Sequence, residues 1–231
     1  MHCARGEVHV WRVELDDLLA RRAALEHVLS DDERERAGRL RSSELRDRWT
    51  VARVALRFIL ASYAGVPPAS LVFDVGTYGK PALRDPSAPF SFNVTHTGNR
   101  TLVAVAGSTT VGIDAEVLRT CTGWQDLSRR FFARSEAEDI ESLPPEQQLA
   151  AFFACWTRKE AILKAGGVGL AAPLNAFCVT VLPHRPIEVR AIASTFGGSC
   201  MSLIDLSDRN VAAALAVDIA SPVIRRLDFV A

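Results

Sequence analysis

A chain of 231 residues, 48% apolar and 23% charged, suffices for one large domain or two small ones with buried cores. Its 27 basic and 27 acidic residues cancel, leaving no basic excess of the kind that nucleic acid or an anionic membrane attracts. No apolar run reaches transmembrane length, and the opening MHCARGEVHVWRVEL lacks the apolar segment of a secretory signal. We therefore expect a cytoplasmic protein with no membrane or nucleic-acid partner.

Val8 to Leu15 alternates apolar and polar residues and reads as an opening strand. The pattern is helical from Asp16 to Tyr63. Ser30 is placed as an N-cap with acids in the first turn behind it, and Trp49 to Tyr63 forms an amphipathic helix stopped by Gly65 and Pro67. Arg48, Arg53 and Arg57 are expected along its polar side. Three short strands follow, Leu71–Val75, Phe90–Thr95 and Leu102–Ala106, separated by Gly79-Lys80-Pro81 and Thr97-Gly98-Asn99 turns.

Gly107 to Thr110 is a small polar joint and the candidate boundary between halves, 1–107 and 108–231. Beyond it the pattern predicts a strand at Val111–Val117, a helical stretch at Trp124–Ser142, and a break at Pro144-Pro145. A long helix from about Glu146 to Ala165 comes next, then strands Phe177–Leu182, Ile187–Ile192, Ser199–Asp205 and Val211–Asp218. The order in each half, strand then helices then strands, is an α+β pattern, with no sequence repeat between halves. Cys3, Cys121, Cys155, Cys178 and Cys200 are scattered, odd in number and without a CxxC pair. They read as reduced thiols, neither a disulfide framework nor a zinc site.

Four segments could carry chemistry. In Gly112-Ile113-Asp114-Ala115-Glu116, residues two apart on a strand face the same way, so Asp114 and Glu116 point together while Ile113 and Ala115 enter the core. Paired carboxylates repel unless one is protonated or a cation lies between them, and Mg²⁺ suits that place. A solvated strand face with two acids fits the same residues. In Trp156 to Lys164, four-residue steps put Trp156, Glu160 and Lys164 on one helix face, as an acid–ammonium pair beside phosphate or as an ordinary surface pair. Tyr78-Gly79-Lys80-Pro81 and Phe92-Asn93-Val94-Thr95-His96-Thr97-Gly98 each put a cationic or hydrogen-bonding group in a turn at a strand end, where backbone N–H groups also bind phosphate, though turn geometry alone accounts for the glycines. Of the 27 basic residues only Lys80, Lys159 and Lys164 are lysines, and all three fall inside these segments.

Read together and in order, GKP, THTG, GIDAE, Phe131-Phe132, WTRKEAILK, GVGL and Pro173-Leu174 resemble the surfactin-type (Sfp-like) 4'-phosphopantetheinyl transferases over about residues 30 to 218. The chain departs from that pattern at Thr95, where Ser is usual, and at Glu33, where the prototype has a phosphate-binding Lys.

The resemblance implies two similar halves in one monomer, related by a pseudo-two-fold axis, with the active site in the cleft between them. It implies transfer of phosphopantetheine from coenzyme A to a serine of an apo acyl or peptidyl carrier protein, of fatty-acid, polyketide or nonribosomal-peptide type, releasing 3',5'-ADP. It assigns Asp114, Glu116 and Glu160 to Mg²⁺, for which Mn²⁺ substitutes, Glu160 also to the base, and Lys164 to the leaving oxygen. Arg48, Arg53, Lys80, Pro81, Thr95, His96, Asp114 and Lys164 would contact coenzyme A, with the arginines at its 3'-phosphate. Lys159 is expected off the metal, near the carrier approach or a core-lining acid. Two other readings use the same carboxylates: a Mg²⁺-dependent hydrolase of nucleotides or coenzyme A, and a non-catalytic coenzyme A-binding module.

Overall fold

A computed structural model describes residues 1–76, 81–85, 88–167, 173–190 and 201–230. Among these, two sheets stand back to back, each covered on its outer face by one long helix. The first sheet runs in the order β11 (Val223–Asp228), β1 (Glu7–Glu14), β5 (Arg100–Ala106), β4 (Ser91–Thr97). The second runs β6 (Val111–Val117), β10 (Val211–Asp218), β9 (Met201–Asp205). All pairs are antiparallel except β1 with β11. Two smaller ribbons pair β2 (Phe73–Val75) with β3 (Pro81–Leu83) and β7 (Cys178–Val179) with β8 (Val189–Arg190).

Period-two alternation builds the layers. Val8, Val10, Leu102, Ala104 and Ala106 of the first sheet meet Val111, Ile113, Ala115, Val211, Ala213, Leu215 and Val217 of the second in one aliphatic layer. The intervening Val13, Val103 and Val105 face the helix α4 (Ser43–Ala64), which buries Val51, Ala55, Ile59 and Leu60 against them. On the opposite side Ala212, Ala214 and Ala216 face α7 (Pro145–Gly166). The expected α+β class is thus what the chain forms, with the acids of β6 turned towards α7 rather than into the sheet–sheet layer.

One clamp occurs twice along the chain, although the sequence does not reveal it as a repeat. In the first, α3 (Asp31–Gly38) carries Glu33, whose Oε2 accepts from Ser30 N at 3.0 Å and from Arg57 Nε at 2.7 Å. Arg57 also donates to the carbonyls of Pro68 (2.8 Å) and Leu71 (3.0 Å). In the second, α6 (Arg134–Glu141) carries Glu136, whose Oε2 accepts from Ala133 N at 2.8 Å and pairs with Lys159 Nζ at 2.8 Å. Lys159 donates to the carbonyls of Leu174 (2.7 Å) and Phe177 (2.6 Å). The helices that carry the basic partners, α4 and α7, end on left-handed glycines, Gly65 and Gly167, each followed by a prolyl entry into a 3-10 turn, Pro68–Ser70 and Leu174–Ala176. In both clamps a basic side chain ties its helix to the segment leaving it.

Several expectations change. Arg57 is buried at 1% exposure rather than projecting on the polar side of its helix, because Glu33 and two carbonyls give its guanidinium partners inside. The amphipathic helix starts at Ser43, capped by the Ser42 hydroxyl, six residues before Trp49. The stretch Trp124–Ser142 is two helices, α5 (Trp124–Phe131) and α6, because Glu136 caps Ala133 N. The strand β11 was not expected, and it returns residues 223–228 to the first sheet beside β1, although they lie beyond the boundary placed at 107/108. The expected strand Phe177–Leu182 is formed only at Cys178–Val179, and the expected strand at 187–192 is described only at Val189–Arg190. Lys80, Val168 to Leu170 and Cys200 lie outside the described residues. Cys3, Cys121, Cys155 and Cys178 are free thiols. No helix among the described residues is long and apolar enough to cross a membrane.

Gly112 sets the spacing between β6 and α7. A Cβ built there would stand 2.1 Å from Ala161 O and 2.3 Å from Ala165 N, both backbone atoms that cannot rotate away. We expect Gly112→Ala to cost about 3 kcal/mol, the upper part of the overpacking range. A urea midpoint equal to wild type would show that α7 has room to retreat.

Candidate active site

The acids of β6 and one face of α7 meet over Gly112. Asp114 is 6% exposed, and its Oδ1 pairs with Lys164 Nζ at 2.7 Å and accepts from Thr95 Oγ1 of β4 at 3.2 Å. Lys164 Nζ also donates to Ile113 O at 3.3 Å. The remaining oxygen, Asp114 Oδ2, is buried with no hydrogen-bond partner, and so is Glu160 Oε1. Of the three buried side-chain polar atoms left this way among the described residues, two belong to this cluster. Buried carboxylate oxygens are expensive to leave unpaired, so their coincidence at one place points to a missing counter-group.

The electrostatics agree. Burial first, and then the charge of Asp114, raise Glu160 from 4.5 to about 7, with Lys164 opposing and Glu116 adding to the rise. Burial also raises Asp114 against the pull of Lys164, and burial followed by the Asp114 charge raises Glu116. Three acids that resist ionising side by side suit a hard divalent cation, which takes one or two carboxylates and completes its shell with phosphate oxygens. No three His, Cys, Asp or Glu side chains among the described residues form a preassembled metal cluster. The donor set present is the pair of orphaned oxygens, with Glu116 beside them on the same strand face.

His96 ends β4, and its Nδ1 lies 2.8 Å from Thr101 Oγ1. Its pKa falls to about 4, through desolvation first and then the cations Lys164 and Arg53. By surface area the side chain is exposed, so water softens that desolvation, while the two cations act in the same direction. His96 is thus a neutral hydrogen-bonding group within the field of both cations. Arg53 stacks its guanidinium 4.0 Å over the Phe73 ring and is held at Nε by Glu33. Burial opposes the Glu33 charge, but Arg57 and Arg53 outweigh it and hold the carboxyl below its usual range.

The residues named from sequence therefore divide. Asp114, Glu116, Glu160, Lys164, Thr95, His96 and Arg53 share one electrostatic neighbourhood. Arg48 is taken up by the β4–β5 turn, donating to Asn99 Oδ1 at 2.9 Å with Asp16 and Glu44 alongside. Pro81 opens β3. Trp156 lies against Phe132 and Phe152 as part of the core behind the site. Lys159, one residue from Glu160, points the other way and finds a core-lining acid in Glu136. Asn93 and Thr97 belong to a candidate phosphate-binding segment, but they lie within the strand β4 rather than in a turn, and their side chains grip the edge of β6.

Residues 110–216 match the family model described as the 4'-phosphopantetheinyl transferase superfamily. The chain is 40% identical over 214 residues to the 4'-phosphopantetheinyl transferase HetI of Nostoc sp., covering 91% of this chain and 87% of that protein. It is 34% identical over 163 residues to the 4'-phosphopantetheinyl transferase of Bacillus subtilis, covering 70% of each. Among solved structures it aligns with the ACPS–CoA complex of Chronobacterium ammoniagenes over 48% of this chain and 96% of that one, at TM-score 0.37 and 17% identity.

Proposed function

The chain belongs to the 4'-phosphopantetheinyl transferase superfamily, and from that membership we propose that it transfers phosphopantetheine from coenzyme A to a serine of an apo carrier protein. The observation that carries the site assignment is the pair of buried, unpartnered oxygens Asp114 Oδ2 and Glu160 Oε1 beside Lys164. In the reaction the serine oxygen forms a bond to the phosphorus that bears the pantetheine arm. The bond from that phosphorus to 3',5'-ADP breaks, and the serine proton leaves to a base.

Glu160 is the base in this reading. Glu160, or a water held by it, takes the hydroxyl proton from its place on the site-facing side of α7, beside Asp114 and Lys164. Lys164 faces the leaving oxygen, where a compact ammonium neutralises developing charge and supplies a proton. Asp114 and Glu160, with Glu116, would hold Mg²⁺. When bound, that ion neutralises charge on the pyrophosphate. Coenzyme A would lie between the halves where β4, β6 and α7 meet, its phosphates towards neutral His96 and Arg53, and in this reading Lys80 and Pro81 are further contacts to it. Thr95 reaches Asp114 rather than open solvent, so we assign it to orienting that carboxylate.

Intact mass of apo carriers of the fatty-acid, polyketide and nonribosomal-peptide types, after incubation with coenzyme A, tests the reading. The expected result is gain of one phosphopantetheine by at least one carrier with Mg²⁺ or Mn²⁺, and none with excess chelator. Undiminished transfer in chelator would remove the metal from the scheme. Coenzyme A consumed without any carrier would favour a hydrolase instead.

A further inference from the structure

The strand that carries Asp114 and Glu116 has one edge paired to β10 and the other set against β4, a strand of the other sheet, with no backbone ladder between them. That second edge is buried along Val111 to Ala115. A buried N–H group needs a partner, and here side chains supply the acceptors. Ile113 N donates to Asn93 Oδ1 at 2.9 Å, and Val117 N donates to Thr97 Oγ1 at 2.8 Å. Asn93, Thr95 and Thr97 are all buried, and they are the polar stretch of a sheet–sheet layer that is otherwise aliphatic.

We propose that Asn93 and Thr97 are positioning residues for the metal-binding face of β6. This rests on the functional reading above and goes beyond it, because neither residue touches the carboxylates. Their anchor points at 113 and 117 bracket Asp114 and Glu116. The ladder to β10 fixes which face of β6 the two acids take. What it does not fix is where β6 stands along β4, and at this seam two side-chain acceptors set that in place of a ladder. Thr95 then orients the Asp114 carboxylate directly, and Gly112 lets α7 close over the other face.

Thr97→Val keeps shape and removes the acceptor, whereas Thr97→Ser keeps the hydroxyl; Asn93→Leu tests the other anchor. Mn²⁺ binding to each folded protein is measured by electron paramagnetic resonance with coenzyme A present and no carrier, so that nothing turns over. We expect Thr97→Val and Asn93→Leu to bind Mn²⁺ about 10-fold more weakly than wild type, the usual consequence of losing an outer-shell support. Thr97→Ser should bind like wild type. Equal affinity in wild type and Thr97→Val would overturn the positioning role while leaving the functional reading intact. Wild-type protein that binds no Mn²⁺ would overturn both. If Asn93→Leu does not fold, the two Thr97 variants decide the matter alone.

Discussion

Glu160→Gln should lose about 10²-fold or more in kcat, with coenzyme A still bound, and should at the same time make the metal-free protein more stable. The two effects have one cause. Glu160 is held in a place that disfavours its charge, through burial and the nearby acids Asp114 and Glu116, so its folded pKa is raised from 4.5 to about 7. A carboxyl whose pKa is raised on folding favours the fold only while protonated. Its contribution is complete below about 4.5 and is lost as pH rises through about 7. Above that range wild-type protein holds a charge the site resists, and glutamine removes it.

The gain should be on the order of 1 kcal/mol at pH 8 once solvent screening is allowed for, and should vanish near pH 4. Thermal unfolding at several pH values and single-turnover transfer measure both sides. An exposed Glu–Lys pair would instead give near-normal turnover and a slight loss of stability. Normal rates in Glu160→Gln would return this segment to an ordinary helix surface.

Lys159→Met should destabilise the fold by about 3–5 kcal/mol, the range for removing one partner of a buried ion pair. Lys159 has no exposed surface, and its ammonium is shared among Glu136 Oε2, Leu174 O and Phe177 O, with the Phe177 ring 4.5 Å away. Methionine fills most of the volume but leaves the Glu136 carboxyl without its cation at 2% exposure, with the N–H groups of Ala133 and Val179 as its remaining donors among the described residues. Removing the charge from both, as in Lys159→Met with Glu136→Gln, should recover much of the loss. Denaturant midpoints for the two singles and the double complete the cycle. Additive losses would mean that the two side chains act independently. The cycle also separates this lysine from its neighbour, since the Lys159 losses appear in stability and the Glu160 losses in turnover.

That contrast marks how much of the site was legible from residues alone. Lys159 and Glu160 are adjacent charged residues, and helical spacing put Glu160 with Lys164 on one face. Nothing in the periodicity of α7 said that the face bearing Lys159 was also covered, because its partner acid lies 23 residues away on α6. Arg57 hid for the same reason. Its place on the helix looks polar, and only the arrival of Glu33 and the Pro68 and Leu71 carbonyls makes it interior. The seam between β4 and β6 is further from sequence still. Asn93 and Thr97 read as part of a candidate phosphate-binding segment until a second sheet's edge is laid against them.

What the amino-acid order determines by itself here is local. The period of two sends Ile113 and Ala115 one way and Asp114 and Glu116 the other. The Ser30–Glu33 pairing starts a helix, left-handed glycines at 65 and 167 end two more, and the spaced motifs identify the chemistry. Tertiary structure alone decides which charged side chains become interior, where the unsatisfied edge of β6 finds its acceptors, and that residues 223–228 return to pair with β1. Each of these joins groups remote in sequence, and burial gives them their energetic weight: a charge or an N–H group that costs little in water must find a partner once the layers close over it.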